Sequence, residues 1–332
     1  MRVTIKDIAK LANVSVGTAS MALNGKPGIN EETRKKVLEI ANKFNYTPND
    51  SARSLITRKS NCIGLIVTDI RNPFFAMLVD EFNILTEALG YSLLLGISGD
   101  KVSNEKKYVE TFISKNVEGI IIVPTIESNP DLSHLYSVKQ MEVPLVFCTT
   151  AYQGFHESCV MTDLKAGQYE IVKHLLDQGM ERIFLVTGYQ NLLLSQLRFE
   201  GYKQAFDEAG KTFQNNWVVE TIPDYDHGYE CAMKIVANKP DAIITINDFL
   251  AMGVLKALKD MGISVPQQIS VAGYDDLLFS SILETPLTTV RQPVKDICIK
   301  TLDVLFSKIK GDNEVAELHY LDPVLKIRKS TR

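Results

Sequence analysis

The 332-residue chain has no run of apolar residues approaching the roughly 18 that a membrane-crossing helix needs, so no membrane span is expected. Its first residues, Met1-Arg2-Val3-Thr4-Ile5-Lys6, carry charge with no apolar run behind it and do not read as a secretory leader. Cysteine is sparse and scattered. Cys62, Cys148, Cys159, Cys231 and Cys298 form no Cys-x-x-Cys pair, which excludes a disulfide framework and a zinc ribbon and suits reduced, mostly buried thiols in the cytoplasm. The five histidines (His134, His156, His174, His227, His319) have no metal-ligand spacing. No Gly-x-Ser-x-Gly, no Walker loop and no dinucleotide-binding glycine pattern occurs. A sugar-acting enzyme would need a catalytic carboxylate pair or a metal cluster, and neither is visible. The expectation is a protein that is not an enzyme and uses no cofactor.

What is present is an uneven charge distribution. The net charge is −4, yet residues 1–60 carry eleven Lys/Arg against five Asp/Glu, a segment charge of +6 that leaves −10 on the remainder. A small basic module on a large acidic body suits a protein that presents one face to a polyanion. The length is more than one ordinary core supports and points to two or three folding units.

Within the basic segment, Thr4 and Asp7 form a capping-box-like start, followed by Ile5, Ile8, Ala9, Leu11 and Ala12 as the apolar face of a first helix. Asn13-Val14 make a turn. Ser15 caps a second short helix carrying Thr18, Ala19, Ala22 and Leu23, which stops at Asn24-Gly25. Asn30, with Glu31 and Glu32 behind it, starts a third helix whose core stripe is Val37, Leu38, Ile40, Ala41 and Phe44. Two short helices across a tight turn, braced by a third, are a helix-turn-helix unit; its second helix enters the major groove and its N-terminus meets phosphates.

These residues carry a resemblance. Thr4-Ile5-Lys6-Asp7-Ile8-Ala9, Val14-Ser15-Val16-Gly17-Thr18-Ala19-Ser20-Met21-Ala22-Leu23-Asn24-Gly25, Leu38-Glu39-Ile40-Ala41 and Tyr46-Thr47-Pro48-Asn49 are similar, in order and spacing, to the lactose/galactose-repressor family. The resemblance implies phosphate contacts from Ser15, Thr18, Ser20, Asn24, Asn30 and Thr33, and base reading from Val16, Gly17 and Met21. The chain departs from the family there. The position of Met21 usually holds a polar residue, often Arg, that reads a guanine edge; Met can only pack, for instance on a thymine methyl. Gly17 offers no side chain, so the outer half-site is expected to be atypical or read through shape and backbone.

Pro48-Asn49-Asp50-Ser51-Ala52-Arg53-Ser54-Leu55 follows as a linker, a helix of about two turns that is too short to persist alone in water. It is expected to form on DNA and against a dimer mate. The resemblance implies a minor-groove wedge at Leu55, flanked by Ala52 and Arg53.

From Cys62 onward the pattern changes to short apolar runs alternating with helical stretches: Ile63–Val67, Tyr91–Gly96, Gly119–Val123, Pro144–Phe147, Ile183–Val186, Trp217–Thr221, Ala242–Ile246 and Ser270–Gly273 as strands, and 75–89, 105–115, 166–178, 195–209, 228–237 and 249–261 as helices. Fully apolar strands alternating with amphipathic helices predict parallel sheets covered on both faces, with ligands at the carboxyl ends of the strands. The rhythm occurs twice, so two similar subdomains with a cleft are expected. Asp69-Ile70-Arg71-Asn72-Pro73-Phe74-Phe75, Val117-Glu118-Gly119-Ile120-Ile121, Arg198-Phe199-Glu200-Gly201-Tyr202, Asn247-Asp248, Gly273-Tyr274-Asp275-Asp276 and Pro286-Leu287-Thr288-Thr289-Val290 extend the resemblance through the body. It implies three chain crossings that form a hinge, and effector contacts from Thr68, Phe74, Phe75, Leu192, Arg198, Tyr225, Asn247 and Asp275. Arg198 and Asp275 suit hydroxyls or an anionic group, and the three aromatic residues suit a ring face. Phe75 serves equally well as core, and Asp248 fits a helix cap better than a ligand contact. Leu192-Leu193-Leu194 stands where sugar-responsive relatives have small polar residues, and Thr150 stands near an Asp of some. A pocket short of hydroxyl-binding groups fits a free sugar poorly.

The predicted fold is therefore α/β: a three-helix helix-turn-helix head (1–47), a hinge helix and linker (48–61), and a periplasmic-binding-protein-like body with parallel doubly wound sheets (62–332). The N-subdomain is about 62–160 plus 291–320, the C-subdomain about 161–290 plus 321–332. The expected function is a cytoplasmic, nucleoid-associated transcriptional repressor. Its expected partners are double-stranded operator DNA, a sugar-like or partly apolar small-molecule effector, and a second copy of itself, with no membrane. The C-terminal Lys329-Ser330-Thr331-Arg332 carries no leucine heptads, which favours a dimer over a tetramer. A solute-binding protein, or a regulator that senses a protein co-regulator, is the alternative.

Overall fold

The structure, a computed structural model, describes residues 3–46, 60–127, 129–312 and 315–332. The chain divides into two compact units, Met1–Ser60 and Asn61–Arg332. The linker residues Ala52, Arg53 and Leu55, and with them the hinge helix expected there, lie outside the described residues.

The first unit consists of α1 (Ile5–Ala12), α2 (Val16–Leu23) and α3 (Glu31–Lys43). Each starts on a polar cap. The Asp7 carboxylate accepts from the Thr4 amide at 2.9 Å and from its hydroxyl at 2.7 Å, the Ser15 hydroxyl oxygen accepts from Thr18 N at 3.0 Å, and Asn30 Oδ1 accepts from Glu32 N at 2.7 Å. Asn13, in the left-handed region at φ 57°, makes the tight turn between α1 and α2. Ile8, Ala9, Ala12, Ala19, Ala22 and Val37 form a small core. The alanines let three short helices approach closely. Leu11 is 50% exposed, Leu38 39% and Phe44 42%. These three expected core positions are thus solvent-facing, because the stripe narrows to the i, i+3, i+4 row Val37–Ile40–Ala41.

The second unit carries two all-parallel sheets. The first is ordered β11-β5-β4-β3-β1-β2, from β1 (Cys62–Val67), β2 (Ser92–Ile97), β3 (Gly119–Ile122), β4 (Leu145–Cys148), β5 (Cys159–Thr162) and β11 (Leu318–Leu321). The second is ordered β7-β6-β8-β9, from β6 (Ile183–Thr187), β7 (Val218–Glu220), β8 (Ala242–Thr245) and β9 (Ser270–Ala272). Covering helices are α4 (Pro73–Ala88), α5 (Val102–Ser114), α6 (Ser133–Gln140), α7 (Leu164–Asp177), α8 (Leu193–Glu208), α9 (Tyr225–Ile235), α10 (Asp248–Asp260) and α11 (Val294–Lys310). Ile63, Leu65, Ile66, Ile120, Ile121 and Ile122 are fully buried, each worth about 1.5–3 kcal/mol of hydrophobic stabilisation. β5, α6, α11 and β11 were not read from the sequence. β5 and β11 are only four residues long, and α11 lies beyond the last motif that anchored the reading.

The chain passes between the sheets three times: from β5 through α7 to β6, from β9 through β10 (Thr289–Arg291) to α11, and from β11 through β12 (Val324–Lys326) back beside β9, where Val271 N donates to Ser330 O at 2.8 Å. β10 and β12 pair antiparallel, so the second and third crossings are joined. α7 and α8 pack through Gly201, where a Cβ would lie 2.2 Å from the Lys165 carbonyl oxygen. α9 and α10 meet at Gly253, where a Cβ would lie 2.0 Å from the Tyr225 carbonyl oxygen. Cys148, Cys159, Cys231 and Cys298 are buried and Cys62 half-buried, and none of them forms a disulfide among the described residues. Burial pushes the Cys148 thiol up to about 12, which leaves it unreactive. Among the described residues no helix is long and apolar enough to cross a membrane.

Candidate DNA interface and effector cleft

In the head, the second helix offers a mixed surface. Ser15, Val16 and Gly17 are exposed at its start, with Val16 44% exposed; Thr18, Ser20 and Met21 are half-buried, and Asn24 is exposed at its end. Ser15 Oγ and Thr18 Oγ1 lie 2.9 Å apart and share one proton between them, so the other hydroxyl proton remains for an external acceptor such as a phosphate oxygen. The Asn24 amide donates to Ser20 O at 2.7 Å, which orients that side chain along the helix end. Asn30 is exposed and Thr33 half-buried at the N-terminus of α3, where Asn30 Oδ1 caps the Glu32 and Thr33 amides at 2.7 Å and 3.3 Å. Met21 rests near the loop after the helix: a Cβ at Gly28, whose φ is +95°, would sit 3.6 Å from Met21 Cε. It is a packing residue with a half-buried flank rather than a free probe.

In the body, a cavity of about 530 Å³ opens between the segments following β3 and β4 and the start of α8. Pro124, Thr125, Thr150 and Tyr152 form one wall; Leu192, Leu193 and Leu194 form the other. Gln153 Nε2 donates to Gln196 Oε1 at 2.8 Å across it. Of the eight residues expected at the effector, Leu192 lines this cavity. Arg198 and Asp275 lie together deeper in the fold, 6% and 4% exposed. The Arg198 guanidinium stacks over the Tyr274 ring at 4.6 Å and donates to Leu194 O at 3.2 Å, while its Nε has no partner. Thr187 Oγ1, at the end of β6, and Ser195 Oγ, in the first turn of α8, are likewise buried without a partner. Buried polar atoms are nearly always bonded, so atoms such as these, which have no partner among the described residues, mark places for ligand or water.

Thr68 is buried just past β1, Phe74 is buried in the core at the start of α4, and Phe75 is half-buried with its ring edge-on to Phe74 at 5.5 Å. Tyr225 lines a separate cavity of about 490 Å³ with Met252, Leu255 and Leu283. Asn247, and not Asp248, is the cap of α10: its Oδ1 accepts Leu250 N at 2.7 Å and its amide donates to Pro223 O at 3.1 Å. The expected capping role of Asp248 is overturned because its side chain turns inward. It accepts from Leu277 N at 2.9 Å, Ser280 Oγ at 2.6 Å and Thr289 Oγ1 at 2.6 Å. Burial nonetheless raises its pKa to about 7.

Asp275, with φ 111°, is held in a conformation that L residues rarely adopt. Burial and the nearby Asp248 push its carboxyl well above the usual range, while Gln292 and Arg198 oppose that shift. Gln292 Nε2 donates to Asp275 Oδ1 at 2.7 Å, and Gln292 Oε1 accepts from Thr162 Oγ1 at 2.7 Å. Asp276 binds Arg291 at 2.7 Å and also pairs with Arg328. The two adjacent aspartates therefore tie all three crossings together: Thr162 on the first, Arg291 and Gln292 on the second, Arg328 on the third. Gln292 and Thr162 had no motif role in the sequence reading, and Tyr274 entered it only within the Gly273-Tyr274-Asp275-Asp276 motif, with no contact assigned to it. Thr125 follows β3 directly, and the rule that parallel strands present ligands at their carboxyl ends is the signal that points to it.

A family model described as bacterial regulatory proteins, lacI family, matches residues 4–49, and one described as a periplasmic binding protein-like domain matches residues 172–331. The HTH-type transcriptional regulator DegA of Bacillus subtilis is 32% identical over 332 residues, covering 100% of this chain and 98% of that protein. The HTH-type transcriptional repressor PurR of Pasteurella multocida is 32% identical over 331 residues, covering 99% and 98%. A crystal structure of the lac repressor dimer bound to operator and the anti-inducer ONPF superposes with a TM-score of 0.87 at 25% identity, covering 100% of this chain and 99% of that one. The curated relatives named here are transcriptional regulators.

Proposed function

This chain belongs to the lacI family of bacterial regulatory proteins, a family of helix-turn-helix transcriptional regulators, and from that premise we propose that it is a dimeric, cytoplasmic repressor whose hold on operator DNA is set by a small molecule in the cleft of its body. Residues 1–47 bind DNA, 48–61 form the hinge, and the two sheets are the lobes of the sensor, 62–160 plus 291–320 and 161–290 plus 321–332. The observation that carries the effector half is the Asp275–Gln292–Thr162 chain, with bonds of 2.7 Å and 2.7 Å, running from the buried acid to two of the crossings. A ligand hydroxyl that takes up Asp275 or Arg198 competes with these bonds and biases the angle between lobes. Two ligands that each bias one two-state element are coupled reciprocally.

In the head, phosphate contacts come from Ser15, Thr18, Ser20, Asn24, Asn30 and Thr33, and groove contacts from Val16, Gly17 and Met21. Apolar packing at these last three reads methyl groups and shape rather than guanine edges. The test is an anisotropy titration of the full chain against a pool of DNA selected for binding, repeated across salt and with a metabolite panel. Expected are a selected palindrome, a binding constant that falls steeply with salt, and a shift by at least one metabolite. A selected motif that no metabolite weakens or tightens removes the effector half. At the hinge, Leu55→Ala is expected to reduce DNA bending as well as affinity; unchanged bending in a phasing assay eliminates the wedge.

A further inference from the structure

We infer that the effector is a carboxylic acid, and that its carboxylate is held inside the turn from β6 to α8 by Thr187, Gln190, Ser195 and Arg198. This rests on the effector cleft proposed above and names the chemical class that the cleft takes.

That turn concentrates unanswered donors. Of the eleven buried side-chain polar atoms that have no partner among the described residues, four fall between positions 187 and 198: Thr187 Oγ1, Gln190 Nε2, Ser195 Oγ and Arg198 Nε. All four can donate, and the two nitrogens can do nothing else. Thr187 ends β6, and a Cβ on the next residue, Gly188, would lie 3.2 Å from Ser195 Oγ, which brings strand end and helix start together. Arg198 reaches back one turn along α8 and donates to Leu194 O at 3.2 Å, so its guanidinium stands at that same helix start. Leu192 is the N-cap there, and no side chain caps the first turn, which leaves the positive end of the helix to an anion.

The charge of the turn is unanswered too. A guanidinium keeps its proton even when buried, and the contacts of Arg198 are the Leu194 carbonyl and the Tyr274 ring. No Asp or Glu forms an ion pair with it among the described residues. Asp275, the carboxyl whose charge it feels, is held by Gln292, and burial pushes that carboxyl well above the ordinary range, toward the neutral form. A buried cation without a counter-ion is costly, and a carboxylate matches it in planar shape and in single charge. A phosphate monoester carries close to two charges and would leave one unbalanced. The carbon body of the acid lies on the outer side of the turn, where Leu192, Leu193 and Leu194 line the cavity of about 530 Å³. Ser195 and Arg198, 0% and 6% exposed, stand behind that lining, and the acid reaches them as the Gln153–Gln196 bond across the cavity opens. Glu127 is the one charged residue among the described lining; it belongs to the wall after β3, its Oε2 accepts Val102 N at 2.8 Å, and it turns the carboxylate toward α8.

The experiment follows the melting temperature of the full chain with lactate, gluconate and benzoate, each paired with its primary amide, and with glycerol phosphate, all at equal ionic strength. At least one carboxylate is expected to raise it by about 5 °C at a hundredfold excess over Kd, and its amide and the phosphate to leave it unmoved. Ser195→Ala should weaken that carboxylate about tenfold. Arg198→Met should abolish the shift, yet leave the unliganded protein melting no lower than the parent, because it removes a buried charge that has no partner. An amide or glycerol phosphate that stabilises as well as the acid leaves the cleft standing and overturns the carboxylate. So does an effector, found by operator titration, that carries no acid group. Arg198→Met melting several degrees lower without ligand means that the fold already compensates the charge, and this too overturns the carboxylate. If no compound moves the melting temperature or operator binding, both proposals fall.

Discussion

Replacing Asp248 by Asn should change how stability depends on pH, not merely its level. The carboxyl is buried and its pKa stands at about 7 in the fold, against the ordinary 3.8 of an aspartate in the unfolded chain. An acid whose pKa is raised by folding is proton-bound in the native state where the unfolded state has already ionised. Its stabilising contribution is present at low pH and declines as pH rises from 3.8 to about 7. For these two values the decline between pH 5 and pH 8 amounts to about 3 kcal/mol. Asn cannot ionise, and it retains most of the site. Its carbonyl can accept Leu277 N and Ser280 Oγ as Oδ2 does now, and its amide can donate to a rotated Thr289 hydroxyl. Asp275, which feels the Asp248 charge, relaxes downward in the variant and so adds to the difference with the same sign. Urea midpoints of the body transition, taken at pH 5, 6, 7 and 8, should therefore converge at low pH and separate as pH rises, with Asp248→Asn the more stable at pH 8. Curves that stay parallel across that range would mean that the three hydrogen bonds compensate the buried charge, and the burial reasoning would be refuted.

Two other outcomes are specific to single contacts. Gly201→Ala places a methyl 2.2 Å from the Lys165 carbonyl oxygen on a neighbouring helix, so α7 and α8 must part; a loss of about 1–3 kcal/mol in a thermal melt is expected, whereas exposed Lys203→Ala should cost almost nothing. Asn30→Ala removes the cap of α3 and should destabilise the head by about 1 kcal/mol; Asn30→Ser should restore its melting temperature, and full recovery of operator affinity with Ser would refute the phosphate contact proposed for the Asn30 amide.

Much of the head was legible because its determinants are local. Ser15 and Asn30 cap the helices their neighbours build, and Asn13 makes the turn that separates α1 from α2. Its errors were also local: Leu11, Leu38 and Phe44 were assigned to the core by apolar character, and a three-helix unit of this size has no more interior than the six buried residues beside them. In the body the apolar runs announced parallel strands, since a strand covered on both faces needs no polar alternation. The order of those strands, with the late β11 placed beside β5, is a non-local property that no window of sequence contains.

The chain's class, its division into a basic head and an acidic body, and the helix starts of the head were determined by the sequence itself, because caps, turns and burial periodicity act over a few residues. The site was decided by the tertiary structure. Asp248 and Thr289 are 41 positions apart, Asp275 and Gln292 17, and Thr162 and Gln292 130. Only the folding of three crossings into one place turns those side chains into bonded partners. Once buried, each must find one, because an unpaired polar group there costs about 1–3 kcal/mol.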